Sequence, residues 1–239
     1  MAARRRGRGS RPALLFLLAG VLLAALLVGA DRVAATVTES RVAARLQGDL
    51  GTPSAPSVQI EDFPFLTQVA RRTLSSVHVV ADDVTPPDQQ AGSLAHVDLM
   101  LHDVTSADGF RTSTAGRVDG TVTLDYATAK DLTRLPLSYA REGRVEVTVD
   151  TRLLSVPVKA TIVGRPDIDP SEQTLTLADP EISVAGVDVP DTTARALLDS
   201  LLQPVRLTGV PYGLRVSELT AEPDGLVAQV TGQDVTFSR

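Results

Sequence analysis

The chain is organised around VQIEDFPFLTQ, Val58 to Gln68. Val58 and Ile60 alternate with Ser57, Gln59 and Glu61, the period-2 pattern of a strand with one buried face. Phe63-Pro64-Phe65-Leu66 comes next. A proline biases the residue before it away from helix and cannot donate to a strand ladder, so the chain must turn here. Two of the chain's five phenylalanines flank that proline. Aromatic side chains carry the largest apolar payload per residue, so the stretch is either a plug for the core or an apolar binding lip.

Composition narrows the rest. A chain of 239 residues has room for one domain of about 200 once the N-terminus is set aside. With no cysteine there can be no disulfide, thiolate metal site, cysteine nucleophile or lipidated N-terminal cysteine. The absence of asparagine excludes asparagine-linked glycosylation. Only Lys130 and Lys159 stand against 21 arginines, a bias of high-GC coding that says nothing about mechanism.

Residues 1–12 form a basic tail with Arg4, Arg5, Arg6, Arg8 and Arg11 and no acid. Residues 13–30, ALLFLLAGVLLAALLVGA, carry no charge. As a helix this run covers about 27 Å, close to the ~30 Å hydrocarbon core of a bilayer. The basic flank predicts a cytoplasmic N-terminus, with Asp31 onward on the far side. Val28-Gly29-Ala30 could serve a signal peptidase, but the run is longer than the apolar region of most cleaved signals, which favours an uncleaved single-pass anchor. The remaining residues, 31–239, hold 18 basic and 29 acidic side chains, a net charge of −11. That sign argues against a nucleic-acid partner. Arg71-Arg72, with Arg41 and Arg45 upstream, is the cationic feature left: a solvated surface, or a contact for anionic headgroups.

Residues 31–50 are alanine-rich and predict a helix continuing out of the membrane, with weak apolar stripes through Val33, Val37 and Ala44 or through Val42, Leu46 and Leu50. Strand patterns fill most of the chain beyond Ser75: residues 76–84, 94–104, 121–126, 145–150, 155–163, 175–177, 182–184, 214–220, 226–231 and 235–237. Residues 105–116 read as a small, polar loop, and 127–135 as a short helix ending before Pro136. One strong helix is predicted over 192–203: Asp191 is its N-cap, Ala194, Leu197, Leu198, Leu201 and Leu202 its stripe, and Pro204 its stop. Many strands, few helices and short connections predict an antiparallel α+β domain.

Catalytic chemistry is hard to find. His96, Asp98 and His102 share a strand face, but six residues of strand separate the two histidines by ~20 Å, too far for one ion. Ser93 lacks the second glycine of a nucleophile elbow, and there is no phosphate-binding glycine loop. Asp82-Asp83 and Glu61-Asp62 are adjacent and would point to opposite strand faces. Tyr212, between Pro211 and Gly213, reads as turn packing. The expectation is a non-enzymatic protein with no cofactor and no metal.

Three motifs carry a resemblance. The V-x-I-x-x-F-P-F-L-T-Q stretch is the specific one; G-T-V-T-L-D-Y (Gly120 to Tyr126) and P-Y-G-L-R-V (Pro211 to Val216) with D-G-L-V (Asp224 to Val227) come after it in order. Together they resemble the LmeA family of actinobacterial phospholipid-binding cell-envelope proteins, over roughly residues 31–239. The resemblance implies a curved antiparallel sheet wrapped around a helix, similar to tubular (BPI-like) lipid-binding domains, after one N-terminal apolar helix. It also implies a membrane-anchored, periplasm-facing phospholipid binder that supports lipid-linked glycans, with an anionic phospholipid as partner, inositol lipids included. The residues expected at an apolar groove are Phe63, Phe65, Leu66, Leu197, Leu198 and Leu201, with Arg71 and Arg72 at the headgroup surface. A filled core would instead suit a non-catalytic envelope adaptor.

Overall fold

The computed structural model describes residues 10–85, 92–107, 112–153, 156–184, 187–188, 204–207 and 210–238. A single helix, α1 (Ser10–Leu50), contains the apolar run and continues for a further 20 residues beyond it. Among the described residues it is the one helix long and apolar enough to cross a membrane. Between Asp31 and Gly48 there is no proline or glycine, so no strong breaker stops the helix earlier. Of its two candidate stripes, the packed one runs through Val42, Leu46 and Leu50, joined by Ala34, Ala35 and Ala43, while Val33 and Val37 remain exposed.

Two antiparallel sheets lie beyond it. The first takes β1 (Ser57–Ile60), β2 (Thr73–Val84), β3 (Leu94–Thr105), β4 (Thr112–Leu124), β11 (Arg215–Glu222) and β12 (Gly225–Ser238), in the order β1-β2-β3-β4-β12-β11. The second takes β5 (Leu137–Arg141), β6 (Arg144–Leu153), β7 (Val156–Asp169), β8 (Thr174–Val184) and β10 (Val205–Arg206), in the order β10-β8-β7-β6-β5, with β9 (Val187–Asp188) beside β8. Two short α-helices, α2 (Phe65–Arg71) and α3 (Tyr126–Thr133), and a 3-10 turn at Pro211–Gly213 complete the described elements.

Register gives the first sheet two distinct faces. Val77, Val79 and Ala81 pair with Leu101, Leu99 and Val97, which pair in turn with Val118, Gly120 and Val122. Gly120 and Val122 then pair with Val230 and Ala228. The opposite face carries His78, Asp82, His96, Asp98, His102, Arg117 and Asp119. The second half of α1 lies along the apolar face: Ala35 packs with Val58, Ile60, Leu74, Val77, Val104, Val118 and Val235. The two sheets meet where Ile168 joins Val216 and Val230. A further cluster of Ala129, Val145, Ala221 and Leu226 closes the end near α3.

This is the expected α+β architecture, with several boundaries moved. Residues 112–116 belong to β4, not to a loop; Ala115 is fully buried there and faces Val235, its small side chain having hidden the alternation. The two short patterns at 175–177 and 182–184 are one strand, and so are those at 226–231 and 235–237. The helix seen against the sheet is the extension of α1. The leucine-striped helix read over 192–203 lies outside the described residues.

Four motif residues explain local structure. Gly120 sits where β3 passes so closely that a Cβ would lie 2.0 Å from the Asp98 carbonyl oxygen. Asp125 caps α3, its Oδ1 accepting from the Thr128 N–H at 2.6 Å, and the Tyr126 hydroxyl donates to the Glu222 carbonyl at 2.7 Å. In Pro211-Tyr212-Gly213, Tyr212 takes a left-handed φ of 59° and its ring lies 5.1 Å from that of Phe237.

Candidate functional site

At the turn after β1, burial divides the residues of Phe63-Pro64-Phe65-Leu66. Phe65 is 4% exposed and packs in the core, so it is a plug and not a groove wall. Phe63 and Leu66 are each 50% exposed, with Val69 beside them one turn along α2. They form a lip. The period of a helix explains the split, since Phe65 and Leu66, one residue apart, sit about 100° from each other around its axis.

What holds this turn comes from far away in sequence. Pro64 stands at the N-cap of α2 and offers no side-chain acceptor. Asp31, the first residue after the apolar run, supplies it instead: its Oδ2 accepts from the Phe65 N–H at 3.0 Å and its Oδ1 from the Leu66 N–H at 2.8 Å. A carboxylate there satisfies two donors that would otherwise be orphaned and meets the positive end of the peptide dipoles. Asp31 is only 3% exposed, which two good acceptor bonds make tolerable. Two turns further along α1, Glu39 Oε1 accepts from the Ile60 N–H at 2.8 Å. Between these two clamps the Arg32 guanidinium stacks 5.2 Å from the centre of the Phe63 ring.

Arg71 and Arg72 end α2. Arg72 is left-handed (φ 58°), and its Nη1 donates to the Ala107 carbonyl at 3.2 Å. Both arginines line an open hollow of about 470 Å³ with Thr73, Thr105, Ser106, Thr112 and Thr114. Guanidinium groups beside hydroxyls can receive a phosphate-sized anion. A second open hollow, about 520 Å³, runs along α1 over Gly29, Ala30, Val33, Ala34, Val37, Thr38 and Arg41.

The histidines each find an aspartate on a neighbouring strand of the polar face. His78 Nε2 bonds Asp98 Oδ1 at 2.7 Å, and His96 Nδ1 bonds Asp82 Oδ1 at 2.6 Å. His102 Nε2 lies 3.2 Å from Asp119 Oδ1, but its angle makes no hydrogen bond; Arg117 Nε donates to that oxygen at 2.9 Å. These are separate pairs, and no group of three or more metal-ligating side chains occurs among the described residues.

Of the groove residues expected from sequence, Phe63 and Leu66 come together at the lip, Phe65 is in the core, and Leu197, Leu198 and Leu201 lie outside the described residues. Asp31, Arg32 and Glu39 were not anticipated. The partners of the two carboxylates stand 21 to 35 residues downstream, and no local spacing announces them.

A family model described as LmeA-like phospholipid-binding matches residues 29–231. No curated protein and no solved structure matches. The match takes in α1 from just before Asp31, the clamped lip, both sheets and the first half of β12, and the chain belongs to this LmeA-like phospholipid-binding family.

Proposed function

We propose that the chain is a membrane-anchored phospholipid binder that stands on the periplasmic, envelope side of its membrane and shelters acyl chains against the first sheet. The observation that carries this is the state of the apolar face. Val79, Leu99, Leu101, Val122, Leu219 and Ala228 pack on the core clusters yet remain only half-buried. A solid core would bury such residues almost completely. Each acyl CH2 covered there contributes about 0.8 kcal/mol, so affinity needs no catalytic group.

The anchor reading rests on α1, where Leu14, Phe16, Leu17, Val21, Leu22 and Leu26 are all more than half exposed. A helix apolar on every face needs lipid around it. Arg71 and Arg72 are proposed to meet anionic headgroups, inositol lipids among them, and Leu197, Leu198 and Leu201, whose spacing predicts a helical stripe, to line the groove. Holding such lipids would support the upkeep of lipid-linked glycans in the envelope.

The deciding measurement is native mass spectrometry of the full chain taken from its own membrane, followed by lipid extraction. Stoichiometric phospholipid that is lost on Leu99→Asp, with circular dichroism unchanged, is the expected result. A lipid-free protein that also ignores phospholipid vesicles would overturn the reading and leave an adaptor with a filled core.

A further inference from the structure

We propose that the lip of Phe63, Leu66 and Val69 is a membrane-docking surface, seated in the interface of the same bilayer that α1 enters and held at that depth by Asp31. This rests on the anchor reading, and it adds a second point of contact with the membrane from a residue stretch remote in sequence.

The argument begins with continuity. The apolar run ends at Ala30, and the next residue carries the carboxylate that binds the α2 backbone. Wherever the end of the run lies relative to the lipid, α2 lies within one side chain of it. Interfacial segments bury their apolar face about 5–10 Å into the boundary between headgroups and acyl chains, the depth at which a residue following a span is found. Phe63 and Leu66 are exposed to half their surface, and Val69 to 36%, with no described residue covering them further. An aromatic and two aliphatics at that level match an interface better than water.

Charge decides how the contact is made. Arg32 lies over Phe63, and Arg71 and Arg72 close the helix, but Glu61 and Asp62 immediately precede the lip and are exposed. These charges nearly cancel. Docking is therefore driven by apolar insertion, with Arg32 free to reach a phosphate from the edge of the ring. The occupant is the lipid interface itself and not a protein partner: the lip shares its level with the apolar surface of α1, where Val28 and Val33 are exposed as well.

The chain has no tryptophan, so one introduced residue reports alone. The full chain carrying Phe63→Trp or Leu66→Trp is reconstituted into phosphatidylcholine vesicles of two kinds, with lipids brominated high on the acyl chain to read the interface and near its end to read the bilayer centre where Val21 lies. Leu132→Trp, exposed on α3 at the far end of the first sheet, is the reference outside the membrane. Val21→Trp, within the apolar run, reports on the anchor. The expected result is strong quenching at positions 63 and 66, at least about twofold above position 132, because bromine quenches only by contact within the apolar layer. Quenching at 21 with none at 63 and 66 overturns the docking surface and leaves the anchor standing. No quenching at 21 overturns the anchor reading and this one with it. Adding Asp31→Ala to Phe63→Trp should bring quenching down toward the reference with position 21 unchanged. Quenching that survives this change would refute the role given to Asp31.

Discussion

Two phenylalanines two positions apart do opposite jobs here, and substitution should separate them. Phe65→Ala empties a buried site and should destabilise the protein by about 3–5 kcal/mol in a urea titration. Phe63→Ala removes a half-exposed ring and should change stability by less than about 0.5 kcal/mol while weakening contact with lipid. If the two variants lose equal stability, the division into plug and lip is wrong. Tyr126 offers a second test at this scale. Partial burial, with the Tyr139 and Glu222 charges adding to it, pushes its hydroxyl up to about 12. A tyrosine raised in this way keeps its proton in the folded state after the unfolded chain has lost it. Its contribution is therefore complete below pH ~10 and is lost as pH rises toward ~12. Alkaline unfolding should steepen in that window, and Tyr126→Phe should flatten it. The same variant also removes the hydrogen bond to Glu222, at roughly 1 kcal/mol near neutral pH.

Among the elements, β4 is the one whose sequence hides it best. Thr112 to Gly116 shows no large apolar residue, yet Ala115 is fully buried and Thr114 bonds Thr236 across to β12. Long pairing partners carry the strand through a stretch of weak intrinsic preference, as tertiary context often does. Gly120 marks the centre of this strand. The Asp98 carbonyl lies 2.0 Å from where its Cβ would be, a backbone clash that no rotamer relieves. Gly120→Val should therefore cost about 3 kcal/mol or more, read as a fall in the urea midpoint, despite the high strand preference of valine. Gly143→Ala makes a contrast: its added Cβ would meet only Thr220 Cγ2 at 3.9 Å, so its penalty should come from the positive φ of 75° alone, on the order of 1 kcal/mol.

For the molecule as a whole, α1 fixes direction. It leaves the apolar run at Asp31, tracks the first sheet along its length, and ends where the Leu50 carbonyl accepts from the Thr85 N–H at the far end of β2. The end of β3, the start of β4, the end of β12 and the Arg71-Arg72 hollow all lie at the Asp31 end. Two arginines line that hollow beside threonine hydroxyls, a setting that suits an anionic headgroup. Arg71→Gln with Arg72→Gln should lower the ratio of anionic to zwitterionic lipid carried by the full chain, at about 1 kcal/mol or roughly fivefold per charge, with the effect fading at high salt. An unchanged ratio would move the headgroup site away from this hollow.

Local period was enough to identify the apolar run, the alternating strands, the α+β class and the turn at Glu222 to Gly225, because each depends on residues a few positions apart. The family likeness was legible for the same reason, as short motifs in order. Tertiary structure alone decided that Asp31 caps α2, that Phe65 faces in while Phe63 faces out, that the extension of α1 fills the sheet, and that each histidine meets an aspartate from the next strand. Those outcomes depend on residues at least 14 positions apart being brought together, and such pairings are set by register and packing rather than by sequence spacing.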